Sequence, residues 1–191
     1  MNKFAVLALF TLVAACSTPD PVADVTPIEG ALVRGVNFNG GGGIEIAGYR
    51  WTGEQDSRAN GMTMRDVKAI ETSLNPKPTT DDNTNVMLNS AIAKQGQIEI
   101  KQVLYVSTYD FYFWFMENEP RTRRTMSIEI EGQTVEETMG NLAFKQWNRY
   151  GPYSVELSDG ELNILITTDD PTQDAQVMGM LIVKPDDSGS S

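Results

Sequence analysis

The chain has 191 residues, 15 basic against 26 acidic, a formal net charge of −11, one cysteine and no histidine. Without histidine there is no imidazole base, no Ser-His-Asp triad and no usual zinc site, and one cysteine cannot form an internal disulfide or hold an iron–sulfur cluster. An acidic chain without a basic run also argues against nucleic acid and against electrostatic adhesion to anionic lipid, and no phosphate-cradling Gly-Lys-Ser/Thr loop occurs.

The chain opens with Lys3 and then an apolar run, Phe4 to Val13. At about ten residues this run is half the length of about 20 that a bilayer-spanning helix needs, so it reads as an export signal. Val13-Ala14-Ala15-Cys16 resembles the lipobox of bacterial lipoproteins. That resemblance implies removal of residues 1–15 as a signal peptide and acylation of Cys16 (diacylglycerol on sulfur, palmitate-type chains). It also implies a mature protein held at the cell envelope by lipid. Several acyl chains on one residue give stable anchoring, whereas one holds only marginally. Ser17 in place of Asp after the cysteine resembles the pattern of lipoproteins sent to the outer rather than the inner membrane of Gram-negative cells.

Residues 16–30 are polar, hold three prolines and show no periodicity, so they read as the lipidated cysteine and a flexible tether. A flexible chain of this length spans on the order of 20 Å. Residues 185–191 read as a disordered tail, which leaves 31–184 as one domain. Strand signals dominate it. Leu32–Phe38 is an apolar run that stops at the glycine stretch Gly40–Gly43; Ile44–Ile46 and Tyr49–Trp51 follow. Helical spacing is thin: Thr63–Leu74 carries Met64, Val67, Ala69 and Ile70, and Val86–Ala93 suits one or two turns.

Gln97–Val106 alternates, and Tyr109–Met116 is aromatic on both faces: Tyr109, Phe111, Phe113 and Phe115 on one, Tyr112, Trp114 and Met116 on the other. Such a strand is central and covered on both sides, or lines a groove with its second face. Thr125–Glu131 turns Met126, Ile128 and Ile130 inward, and Glu131-Gly132-Gln133 is a tight turn into Thr134–Thr138. Pro152–Leu157 and Glu161–Thr167 flank Ser158-Asp159-Gly160, which reads as a hairpin turn, and Ala175–Val183 closes the series. Many short strands with few short helices predict an all-β fold, an antiparallel β-sandwich.

The order of several segments is more specific. Tyr109-Asp110-Phe111-Tyr112-Phe113-Trp114-Phe115-Met116-Glu117-Asn118 precedes Met126 to Gly132. Trp147, Gly151-Pro152-Tyr153-Ser154-Val155, Asp159 to Ile164, and Val177 to Ile182 come after. Together with Arg34 to Gly41, this series resembles the malectin-like branch of the galactose-binding-like families. The resemblance covers residues 34–183. It implies a jelly-roll sandwich and, for many relatives, carbohydrate binding in loops at one end. Asp170-Pro171 matches an aspartate that malectin places before a proline in its last loop. No aromatic pair follows Glu117, and the early loop Thr52–Met62 has no tyrosine, the nearest rings being Tyr49 and Trp51 before it, so the sequence departs from malectin at these positions of its disaccharide site.

A sugar site needs an aromatic face for the apolar side of a pyranose and a few fixed polar groups for its hydroxyls. Trp51, Tyr112 and Trp114 are candidates for the platform, Glu117, Asn118, Asp169 and Asp170 for the hydrogen bonds; Trp147 and Tyr150 also offer rings. Packing within the sheet is the competing role for these rings. The carboxylate pairs Glu117/Glu119 and Asp169/Asp170 suit a glycosidase only if they face each other across a gap, and neighbours on a strand point oppositely. No catalytic residue, cofactor or metal site is therefore expected, although Asn163, Asp169, Asp170 and Asp174 are oxygen donors of the kind calcium takes. Arg121, Arg123 and Arg124 suit an anionic sugar or phosphate, or a solvated loop paired with Glu117 and Glu119. The expected partners are the membrane through the lipid, a glycan, or in the alternative an envelope protein.

Overall fold

The computed structural model describes residues 23–186. Residues 1–22, with the expected signal peptide, Cys16 and the first part of the tether, lie outside the described residues, as do 187–191. The elements in chain order are β1 (Ala31–Asn37), β2 (Glu45–Ile46), β3 (Tyr49–Arg50), β4 (Thr52–Gly53), α1 (Glu54–Ala59), β5 (Thr63–Met64), β6 (Lys68–Glu71) and α2 (Asp82–Leu88). They continue with β7 (Ser90–Gln95), β8 (Gln97–Val103), β9 (Ser107–Met116), β10 (Thr125–Ile130) and β11 (Gln133–Gly140). The last four are β12 (Trp147–Leu157), β13 (Glu161–Thr168), β14 (Asp174–Val177) and β15 (Gly179–Lys184).

Two five-stranded sheets form the sandwich. The first runs β12-β9-β15-β1-β4 and the second β11-β10-β13-β8-β5. A third sheet, β14-β7-β6, closes the upper end, where β9 finishes and β10 begins. Its β7 starts beside the first sheet, where the Ser90 hydroxyl donates to Asn37, and runs through Gly96 into β8 of the second. The fold is thus the all-β antiparallel sandwich that the strand pattern predicts, with two short helices among the described residues.

The faces follow from alternation. In β10 and β13 every second residue is buried, with Met126, Ile128, Ile130, Leu162, Ile164 and Ile166 all at 2% exposure or less. The aromatic strand β9 is central, and both its faces are covered. Phe111 and Phe113 sit in register with Ile182 and Met180, towards the second sheet, while Trp114 pairs across to Gly179 on the opposite, outer face.

Several expectations change. Thr63–Leu74 is not helical: Met64 and Ile70 belong to two short strands, paired to β8 and β7, because each can bury one side chain against a neighbouring strand. Val86–Ala93 divides at Asn89, helix before it and strand after. Ser158-Asp159-Gly160 is a turn but not a hairpin, since it passes the chain from β12 in one sheet to β13 in the other. Ala175–Val183 breaks at Met178 for the same reason.

The segment 23–30, expected as tether, packs down. Ala23 is buried, the Asp24 amide donates to Asn148 Oδ1 at 2.7 Å, and the Tyr49 hydroxyl donates to the carbonyls of Ile28 and Gly30. Hydrogen bonding and the half-buried Ile28 outweigh the polar, proline-rich composition.

Candidate functional site

The outer face of the first sheet is an aromatic floor. Trp51 lies flat against it over two glycines: a Cβ on Gly35 would stand 2.7 Å from the indole, and one on Gly179 would do the same. Trp114 meets Trp51 edge-on, with centroids 5.1 Å apart. On the edge strand β12, Arg149 stands opposite Trp114, and Trp147 opposite Met116. The Arg149 guanidinium lies 5.5 Å from the centre of the Tyr112 ring.

Three pieces of chain rise around this floor. The strap formed by residues 24–28 crosses it, held by Arg149, whose Nη2 donates to Asp24 Oδ2 at 2.9 Å and to the Thr26 hydroxyl at 2.8 Å. The turn at Ile46 and Ala47 forms a second wall. The third is Thr80, Asp81 and Thr84 at the start of α2, where Asp81 caps the helix by accepting from the Thr84 amide and hydroxyl. The Trp147 indole is fixed by donating to the Pro78 carbonyl at 2.7 Å.

Between these walls is a cleft of about 340 Å³ lined by Asp24, Thr26, Thr80, Asp81, Thr84 and Arg149 over Trp114 and Trp147. This volume is at the small end of the range of small-molecule sites. On the other side of the strap, Tyr112, Asp110 and Arg149 line a second depression of about 320 Å³. A larger hollow of about 600 Å³ at the upper end has no aromatic ring, and its Asn39 and Asn89 amides are already bonded within the fold.

The cleft carboxylates are both held in the ionised form. Burial raises Asp24, but the Thr26 amide, Arg149 and the Thr26 hydroxyl bring it below the ordinary aspartate value. Asp81 is likewise raised by burial and brought lower by Thr84 and Thr80. A sugar-cleaving general acid needs the opposite shift. Arg149 keeps one buried donor, Nε, without a partner.

The residues singled out in the sequence fall into three places. Trp51, Tyr112 and Trp114 gather on the outer face, each no more than 6% exposed; Trp51 is a support beneath the site rather than a surface. Glu117 and Asn118 are at the upper end. Glu117 is fully buried: it accepts from the amides of Glu119 and Arg124 and pairs with the Arg124 guanidinium at 3.3 Å, so no ligand reaches it. Its burial raises the carboxyl above its ordinary value, opposed by Arg124 and these amides. Asp169 and Asp170 lie in the turn after β13, where Asp170 accepts from Thr172 and Gln173.

The oxygen donors considered for calcium do not converge. Asp174 pairs with Lys68 at 2.6 Å and Asn163 bonds to Glu131. Among the described residues no cluster of three acidic, cysteine or histidine side chains has the geometry to hold a metal. Trp147, Arg149, Asp24 and Asp81 complete the cleft and were not all visible in the sequence. In the sequence Trp147 offers a ring whose competing role is packing; Asp81 carries the signal of an N-cap, Asp-Asp-x-Thr, before a short helix.

No protein-family model matches the sequence, and no curated protein matches it. Solved structures do resemble it. A calcium-binding mutant of Bacteroides uniformis β-glucuronidase 2 superposes with a TM-score of 0.65 at 14% identity, over 79% of this chain and 18% of that one. The ANXUR2 extracellular domain from Arabidopsis thaliana gives 0.64 at 14% identity, over 82% and 49%. Plant FER, in complex with the peptide RALF23 and LLG2, gives 0.58 at 16% identity, over 85% and 43%. The chain therefore spans less than a fifth of the glucuronidase and under half of each plant ectodomain. At these identities the likeness carries the β-sandwich fold alone, and no activity.

Proposed function

We propose that this protein is a non-catalytic, lipid-anchored module of the cell envelope that binds carbohydrate in the cleft over Trp114 and Trp147. One observation carries the reading. Two indoles form the floor of a cleft of about 340 Å³ whose rim is made of hydroxyls, two ionised carboxylates and a guanidinium. Trp114 and Trp147, 2% and 4% exposed, give the floor a narrow apolar strip rather than open ring faces, and the polar rim suits the hydroxyls of a sugar lying over it. The lowered carboxyls support binding over cleavage. Acylation at Cys16 rests on the lipobox resemblance, and placement at the outer membrane on Ser17 in place of aspartate after the cysteine.

The test is a glycan array probed with the full chain in detergent micelles, followed by titration of retained sugars. Thr80→Trp fills the cleft from its rim and abolishes retention without touching the core. Equal retention by Thr80→Trp contradicts the cleft assignment. A second reading, protein docking, is favoured by the strap and α2 covering the aromatic strand, and FER among the neighbours is seen with a peptide and LLG2. A stoichiometric envelope protein recovered without any glycan retention would support it instead.

A further inference from the structure

At the upper end, away from the cleft floor, the loop 117–124 between β9 and β10 lies against the loop 141–146 between β11 and β12. The two are stitched by backbone bonds: Lys145 amide to Glu117 carbonyl at 2.7 Å, Glu117 amide to Gln146 carbonyl at 2.9 Å, and Asn141 amide to Arg124 carbonyl. Beneath them Glu117 is spent on Arg124, whose guanidinium also donates to Gln176. The junction is therefore fixed before any ligand arrives.

Between the loops is a groove of about 400 Å³ lined by Pro120, Arg121, Thr122, Arg123, Ala143 and Phe144. Arg121 and Arg123 are exposed, and Lys145 holds its ammonium 5.3 Å from the centre of the Phe144 ring. Exposed Lys77 joins the same edge, its amide bonded to the Lys145 carbonyl at 2.8 Å. Arg121 and Arg123 line the groove and Lys77 and Lys145 stand beside it, so four of the 15 basic residues of a molecule of net charge −11 are placed here against the one exposed carboxylate of the loop, Glu119, while Arg124 is buried beneath. None of these four has an ion-pair partner among the described residues.

We infer that this groove is a second binding site, for an anionic glycan. Arg121 and Arg123 take a carboxylate or phosphate oxygen pair each, in the two-pronged geometry that guanidinium favours, and Lys145, held over the Phe144 ring, adds positive charge beside the groove. The acidic remainder of the surface repels the same polymer, which confines it to the basic end. Lys145 is two residues before Trp147, whose amide donates to the Lys77 carbonyl at 3.3 Å and whose indole donates to Pro78, so the groove adjoins the cleft.

Affinity electrophoresis of the full chain tests the site with polygalacturonate, its fully methyl-esterified form, phosphorylated dextran and plain dextran. The charged polymers retard migration, and the neutral ones do not. Retardation by polygalacturonate alone assigns carboxylate, by phosphorylated dextran alone phosphate, and by both a general oxyanion site. Arg121→Ala/Arg123→Ala weakens retardation about tenfold, as the loss of two surface charge contacts requires. Lys94→Ala/Lys101→Ala, on another part of the surface, leaves it unchanged, and added salt weakens it by screening. Thr80→Trp also leaves it unchanged, which separates this site from the cleft. Equal retardation by the esterified polymer, or full retention of affinity in the double arginine variant, overturns the inference.

Discussion

The support under the cleft can be broken by one methyl group. At Gly35 a Cβ would stand 2.7 Å from Cγ and 2.8 Å from Cδ1 of Trp51. The indole cannot retreat, because its far edge already fills the space over Gly179, with Cζ3 2.7 Å from where a Cβ would be, and Trp114 blocks it edge-on. Gly35→Ala therefore forces overpacking of a ring that is 1% exposed. Overpacking of this kind costs about 1–3 kcal/mol, and about 2 kcal/mol corresponds to a fall in Tm of about 4–8 °C in a domain of this size. Gly41→Ala is the matched control, since no atom lies within 4 Å of its Cβ position. There the loss of unfolded-state freedom makes the variant as stable as the parent or more so, by up to about 1 kcal/mol. Circular dichroism melts of the three proteins at one scan rate decide the matter. If Gly35→Ala melts with the parent, Trp51 is not wedged as described, and the rigid floor of the cleft fails with it.

Two further outcomes follow from charged side chains that hold the fold, one pair buried and one an exposed helix cap. Glu117→Gln leaves the Arg124 guanidinium buried without its counter-charge and costs about 3–5 kcal/mol in urea denaturation, whereas Glu117→Leu/Arg124→Met recovers much of that loss. Asp81→Ala removes the N-cap of α2 and costs about 1 kcal/mol at neutral pH. Because the Asp81 carboxyl titrates below its ordinary value of 3.8 in the folded chain, its contribution is present above pH 3.8 and disappears as pH falls through the lowered folded value. Melts of variant and parent should therefore converge in acid, and a gap that persists there would show that the carboxylate is not what stabilises the helix.

Alternation made most of the sandwich legible in the sequence. Met126, Ile128 and Ile130 against Ser127 and Glu129 predict their burial pattern, and the two-faced aromatic run predicts a covered central strand. What alternation does not encode is which strand pairs with which. Ser158-Asp159-Gly160 has the composition of a hairpin turn whether the chain returns to its own sheet or crosses to the other, and a sandwich of this type crosses at most of its turns. The two-residue strands β2 to β5 are shorter than any periodicity can reveal, and Met64, Val67 and Ile70, three apart, mimic a helix that strand pairing overrides.

The site was legible in kind but not in place. Trp114 reads from sequence as a ring on the second face of a strand, and the cleft is on that face. Arg149 and Asp24 are 125 positions apart, and their ion pair carries no local signal. The strap was hidden by composition, since prolines and polar residues suit a tether as well as a segment pinned by a guanidinium. Arg124 shows the converse: three clustered arginines look alike in sequence, and only burial separates the structural one from the two that face solvent.

The three tryptophans of the chain all belong to the outer face of the first sheet, so their indole N–H resonances report on the proposed site directly. Titrating ¹⁵N-labelled protein with a glycan retained on the array should shift the Trp114 and Trp147 indole signals in a saturable way, with Trp51 following weakly from beneath. Retention of the glycan with all three indole signals unmoved would contradict carbohydrate binding in this cleft.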